Sequence, residues 1–229
     1  MSPELYKELD DFSLNYNLSN KEDYSCKKVE RIVTKDSEWH EMHTVIVAGY
    51  KHNQTRLGFD GEKDGVMCEA KSSSRTIKRD ALNKFLEGRL QNKKDLIKTC
   101  LDGSGVFSKF THRAFKKYRD ANTMMLVSGY INGVLMYVVE FPFNHPTFAN
   151  MVRASLDKSL PGGDVRGLSK TISFSYTSYK DCPNINVCYL TREYNKRILK
   201  AVCTEPFYQF LIDNSVKKDT ALPQESIQE

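Results

Sequence analysis

The sequence predicts an α/β (mixed α+β) domain with a central mixed β-sheet flanked by helices. Three observations predict it. Period-two or β-branched runs recur at 66–71, 124–127 and 134–141. Apolar stripes at helical spacing recur at 75–100 and 147–159. Turn dipeptides, Asp64-Gly65 and Asn132-Gly133, separate neighbouring strand-like segments. Strands and helices are interleaved along the chain, as one sheet covered by helices requires.

Taken in order, residues 1–36 are polar and weakly patterned, with Leu5, Leu9 and Phe12 offering one short helix after Pro3. A folded domain is expected over 37–215, and 216–229 read as a polar tail. Ser37 caps a helix carrying Trp39, Met42 and Ile46; β-branched residues at 44–48 leave a strand as the rival. Residues 55–73 read as a hairpin with arms Arg56–Asp60 and Val66–Lys71. Ser72-Ser73-Ser74 then cap a long helix over 75–100. Asp102-Gly103-Ser104-Gly105 is a loop, and a basic, aromatic helix is expected over 106–119. Strands at 124–127 and 134–141 precede a helix at 147–159 and a loop at 160–164. Segments 171–177 and 185–191 read as a further strand pair, and a helix near 207–212 closes the fold.

The chain has 229 residues, 40% hydrophobic and 28% charged, which suits a folded core and excludes a globally disordered chain. A formal net charge of +5 permits a polyanionic partner without requiring one. The six cysteines form no CxxC pair and have no histidine pair to complete a zinc site, so reduced thiols are expected, with Cys68 and Cys203 in the core. His40-Glu41-Met42-His43 spaces its histidines three apart, where the zincin motif needs four. No apolar run approaches the ~20 residues that span a bilayer. No membrane association and a cytoplasmic, reducing location are therefore expected.

Chemistry concentrates on the hairpin. Glu69 and Lys71 stand two residues apart on one arm, so both side chains share a face. Asp60 ends the other arm and should lie near Glu69. Two carboxylates at one edge repel unless a cation joins them, and hard oxygen donors suit Mg²⁺. A lysine beside them offers charge for a phosphate or a grip on a water. Asp64 is the alternative first acid, but it is better explained as turn chemistry with Gly65.

These residues resemble the PD-(D/E)XK nuclease superfamily. The pattern reads Phe59-Asp60-Gly61, then Met67-Cys68-Glu69-Ala70-Lys71-Ser72, with Phe59 where the family usually has proline. The resemblance implies a restriction-endonuclease-like core and a single catalytic domain over 37–215. It also implies metal ligation by Asp60, Glu69 and the Ala70 carbonyl, with Lys71 orienting the attacking water. Glu41 would be a further metal ligand on the preceding helix. The size is most like that of a type II restriction endonuclease. The expected function is Mg²⁺-dependent hydrolysis of double-stranded DNA by a homodimer, since cutting both strands takes two sites. A repair or junction-resolving nuclease of the same superfamily, or a non-catalytic nucleic-acid-binding protein, are the alternatives.

Basic side chains supply candidate DNA contacts. Arg75, Lys78 and Arg79 follow the catalytic strand. Lys109, Arg113, Lys116 and Lys117 can share one helix face while Phe110, Phe115 and Tyr118 pack inward. Arg166, in the glycine-bracketed loop Gly162–Gly167, is a candidate reader of guanine edges.

Overall fold

The structure, a computed structural model, describes residues 37–53, 58–90, 93–191 and 193–215. The expected helix near Leu5–Phe12, the tail, Cys26, and the hairpin residues Arg56 and Leu57 lie outside the described residues.

Helix α1 (Ser37–Val47) opens the described chain. Strands β1 (Lys51–His52), β2 (Gly61–Lys63) and β3 (Val66–Arg75) follow as an antiparallel meander. Helices α2 (Arg79–Leu86) and α3 (Lys93–Leu96), strand β4 (Gly105–Phe110) and helix α4 (His112–Asp120) then carry the chain across to β5 (Met124–Ile131). Strand β6 (Val134–Pro142), helix α5 (Pro146–Ser159), strands β7 (Lys170–Phe174) and β8 (Asn186–Leu190), and helices α6 (Glu193–Val202) and α7 (Glu205–Ser215) complete it. The main sheet runs β1-β2-β3-β5-β6-β8, and β4 and β7 form a separate antiparallel pair. Among the described strand pairs only β3 and β5 are parallel, which demands the long crossover between them. This is the mixed, helix-flanked sheet expected from the sequence. No described helix is long and apolar enough to cross a membrane.

Strand β5 sits near the centre of the sheet and is covered on both faces, so it reads as a continuous apolar run. Leu126 and Tyr130 point to one face, with Val45, Tyr50, Cys68, Ala70 and Val138. Met125 and Val127 point to the other, with Phe107, Phe141, Phe148, Phe174 and Phe207. Cys68 and Cys203 are fully buried, as core thiols should be. A polar knot crosses the first face without leaving its groups unsatisfied: Thr44 Oγ1 lies 2.6 Å from Ser128 Oγ and 3.2 Å from the Tyr130 hydroxyl. His40 stacks on the Tyr130 ring at 4.0 Å between centroids, so it serves this packing rather than a zinc site.

Burial decides the helix-or-strand choice at α1. Trp39, Met42 and Val45 are buried and Ile46 is 45% exposed, a helical spacing that outweighs the β-branched composition. The Asn132-Gly133 turn takes positive φ at both residues (50° and 79°), the geometry that matches the twist of a tight hairpin.

Five sequence expectations need correction. The hairpin's first strand is Gly61–Lys63, immediately before the Asp64-Gly65 turn, and does not reach back to Asp60. Ser72–Ser74 cap no helix; they extend β3, paired through Ser72↔Ser128 to Arg75↔Ile131, because β5 offers a partner that far. Asn132 then fixes the chain's exit, accepting from the Ile77 amide at 2.8 Å and donating to its carbonyl at 3.1 Å. The expected helix over 75–100 is instead α2 and α3, with Gly88 at φ 73° just past the end of α2. The helix expected from 106 starts at His112, because Thr111 is its N-cap, accepting from the Ala114 amide at 3.2 Å. Lys109 and Phe110 therefore belong to β4, where buried Gly105 and Phe107 alternate with exposed Val106 and Ser108. Finally, the segments near 171–177 and 185–191 do not pair with each other. β7 joins β4, and β8 joins β6.

Close approach at the sheet depends on Gly129, where an added Cβ would lie 2.3 Å from Tyr137 Cε1. The Tyr137 ring is fully buried and cannot swing away. Gly129→Ala is expected to destabilise the fold by about 1–3 kcal/mol, measured as a lower urea midpoint; an unchanged midpoint would show that the ring has room to move.

Candidate active site

The site forms where β3 changes partner. Strand β2 pairs with β3 only as far as Gly61↔Cys68, so from Glu69 onward that edge of β3 is open. Gly61 lets the two chains approach α1 closely, since a Cβ there would fall 2.5 Å from Val45 Cγ1. Asp60 then covers the open edge. Its amide donates to the Cys68 carbonyl at 3.0 Å, and its Oδ2 accepts from the Ala70 amide at 2.8 Å. A strand residue's N–H and C=O point to the same side, so the Ala70 carbonyl faces the Asp60 edge too.

Glu69 and Lys71 alternate with Ala70 and share the opposite face of β3 from its buried methyl. Lys71 Nζ donates to Glu69 Oε1 at 2.6 Å and lies 5.8 Å from the Phe107 ring centre. Glu69 is 8% exposed, and its Oε2 is buried with no hydrogen-bond partner among the described residues. The Tyr118 hydroxyl on α4 faces this carboxylate; burial first, then the charge of Glu69, pushes the phenol well above its ordinary range.

Charge is concentrated here against its own interest. Burial, and then the neighbouring Glu69, push the Asp60 carboxyl from 3.8 up to about 7; Glu41 adds to the rise, while Lys71 and the Ala70 amide oppose it. Burial works against the Lys71 ammonium, but Glu69 and Asp60 outweigh it and raise its pKa. Glu41 on α1 thus lies within electrostatic reach of Asp60, and its Oε1 stands 3.9 Å from His52 Nε2.

Among the described residues no three His, Cys, Asp or Glu side chains converge as a metal-binding group. The edge instead brings the Asp60 and Glu69 carboxylates close enough for the charge of one to raise the pKa of the other, beside the Ala70 main chain. That set suits Mg²⁺, which retains several waters and takes few protein ligands. Glu69 Oε2, without a hydrogen-bond partner among the described residues, and the raised Asp60 carboxyl mark an edge whose negative charge Lys71 offsets only in part.

The basic candidates divide by position. Lys117 lies with its Nζ 4.4 Å from the ring centre of Phe59, the residue before Asp60. Arg113 and Lys116 are exposed on the same helix, while Phe115 and Tyr118 are buried. Lys109 is exposed at φ 53° in β4 and stands off that helix face. Lys78 and Arg79 are exposed at the start of α2. Arg75 is half-buried and committed to main-chain carbonyls, Thr99 at 3.1 Å and Ser74 at 2.9 Å, so its guanidinium fastens the crossover to β3. Arg166 is exposed in the 160–169 loop.

Sequence reasoning missed Tyr118 as a partner of Glu69. Its inward face on an amphipathic helix was legible, but its target on another element was not. It also missed Asp164, which binds the first amides of α4 at 2.7 Å each.

A scan of family models finds none that matches the chain, and a search of curated proteins finds no significant match.

Proposed function

We propose that the chain is a Mg²⁺-dependent endodeoxyribonuclease acting on double-stranded DNA, of the site-specific type II restriction kind and working as a homodimer. The observation that carries this reading is the meeting of Asp60, Glu69 and Lys71 at the open edge of β3, with Glu69 Oε2 buried and without a hydrogen-bond partner among the described residues. Asp60, Glu69 and the Ala70 carbonyl would hold the ion, which when bound supplies Lewis-acid stabilisation of the phosphate and a more acidic water. Lys71 orients the water for in-line attack at phosphorus, and its ammonium balances the charge that gathers on the phosphate. Tyr118 holds Glu69, and the aromatic wall of Phe59, Phe107 and Tyr118 keeps this charge cluster poorly solvated. Lys117, Lys116 and Arg113 line the approach and suit a phosphate backbone.

Supercoiled plasmid incubated with Mg²⁺ should be cut to discrete fragments, and EDTA should prevent it. Lys71→Ala and Glu69→Gln should each slow cutting by at least about a hundredfold while circular dichroism stays that of the parent. Binding without any cutting would leave only a nucleic-acid-binding protein. Cutting that ignores host-pattern methylation would favour a repair or junction-resolving role.

Asp60 gives a pH signature. Its folded-state carboxyl holds a proton up to about 7, against 3.8 ordinarily. The folded chain therefore binds more protons than the unfolded chain between those values, and this group's contribution to stability falls as pH rises through that window. In EDTA at pH 8, Asp60→Asn should melt a few °C above the parent, by roughly the shift that about 1 kcal/mol produces. Divalent-ion affinity, read by calorimetry, should climb as pH passes about 7 in the parent and be lost in Asp60→Asn. A melting point lowered by the substitution would contradict this charge assignment.

For DNA affinity, Lys117→Ala or Arg113→Ala should weaken binding evenly across sequences and reduce the slope of log affinity against log salt by about one. An unchanged slope would remove the α4 face from the interface.

A further inference from the structure

The loop between α5 and β7 is held at its base and bare at its tip. Asp164 Oδ1 accepts from the His112 amide at 2.7 Å and Oδ2 from the Arg113 amide at 2.7 Å, the first two residues of α4. The His112 ring bridges to the helix before the loop, with Nε2 3.0 Å from Asp157 Oδ1 and Nδ1 3.2 Å from Asp164 Oδ1. A Leu168 N–H to Val165 carbonyl bond of 2.9 Å closes the tip, and Gly163 and Gly167 take φ of 85° and 82° around it. A segment fixed this way has lost its conformational freedom before any partner arrives, which lowers the entropic cost of binding.

The tip presents side chains that the fold does not use. Val165 and Leu168 are each 54% exposed, the most exposed large aliphatics among the described residues, and Arg166 between them is exposed as well. Two aliphatics around a guanidinium suit neither a solvated turn nor a purely ionic contact. They suit a surface that offers both hydrogen-bond acceptors and apolar edges, as a DNA groove does. Position agrees with this. Helix α4 runs from Lys117, against Phe59 at the carboxylate site, back through Arg113 to the residues that Asp164 grips. At 1.5 Å per residue, the start of α4 stands about 8 Å along the helix from Lys117. A duplex lying on the basic face with a phosphate at Lys71 would meet the loop within a few base-pair steps, each about 3.4 Å.

We propose that residues 164–168 are a pre-shaped DNA-groove contact in which Arg166, Val165 and Leu168 determine sequence preference and Asp164 is the positioning residue. This rests on the nuclease reading above. The full-length chain is tested as parent, Arg166→Ala, Val165→Ser/Leu168→Ser, Asp164→Ala and Asp164→Asn. Three readouts are taken: affinity for a cleavable duplex in EDTA, the pattern of fragments from bacteriophage DNA with Mg²⁺, and Mn²⁺ binding by calorimetry. Arg166→Ala should lose about tenfold in duplex affinity and broaden the set of cut sequences, with Mn²⁺ binding unchanged. Asp164→Ala should show the same broadening and Asp164→Asn should restore part of the preference, since its one amide oxygen can still accept from one of the two α4 amides that the carboxylate holds. The proposal is overturned if a parent that cuts DNA keeps its fragment pattern and affinity in both tip variants. It is overturned equally if the tip variants convert a dimer to monomer in sedimentation, which would make the loop a subunit contact. A parent that binds no duplex and cuts none removes the nuclease reading itself, and this inference with it.

Discussion

One hydrogen bond organises the charged edge of this molecule: the Ala70 amide donating to Asp60 Oδ2 at 2.8 Å. β2 stops pairing at Cys68, so the next outward-facing amide of β3 would be left without a strand partner. A buried amide must find an acceptor or lose free energy of roughly 1–3 kcal/mol, and the Asp60 carboxylate supplies it. The same bond sets an acid against the strand that carries Glu69 and Lys71. Strand pairing and the placing of charge are here the same event.

The surroundings of that edge are chosen for dryness as well as charge. Phe59, Phe107, Phe110, Phe143 and Tyr118 meet edge-to-face or tilted, with centroids 5.4–6.3 Å apart in the contacts Phe59–Tyr118, Phe107–Tyr118, Phe110–Tyr118, Tyr118–Phe143 and Phe107–Phe143. This wall limits solvation of the carboxylates, which with the charge of Glu69 is why Asp60 clings to its proton. Lys71 answers only part of that charge, because its ammonium bonds Glu69 Oε1 and leaves Oε2 alone. An arrangement of this sort is unfavourable for stability alone.

Helix α4 links the parts. Its inner face sends Tyr118 to Glu69, its outer face carries Arg113, Lys116 and Lys117, and its first turn is fastened to Asp164. One short amphipathic element thus sets the distance between the carboxylate edge and the 160–169 loop.

Residue order alone settled the local matters. Alternation marked β3, apolar runs marked β5 and β6, two turn dipeptides marked their hairpins, and the Glu69-Ala70-Lys71 spacing put an acid and a base on one face, because a strand's side chains alternate whatever it pairs with. Partnership was not legible. Ser72–Arg75 carry no apolar alternation and become strand only because β5 runs beside them; β7 and β8 each have the pattern of a strand but nothing that names β4 or β6 as neighbour. The approach of Tyr118 to Glu69 and of Asp164 to α4 likewise spans some fifty residues of chain. Such contacts are fixed when separate apolar faces close on one core, and periodicity within a segment records that a face is buried without recording against what.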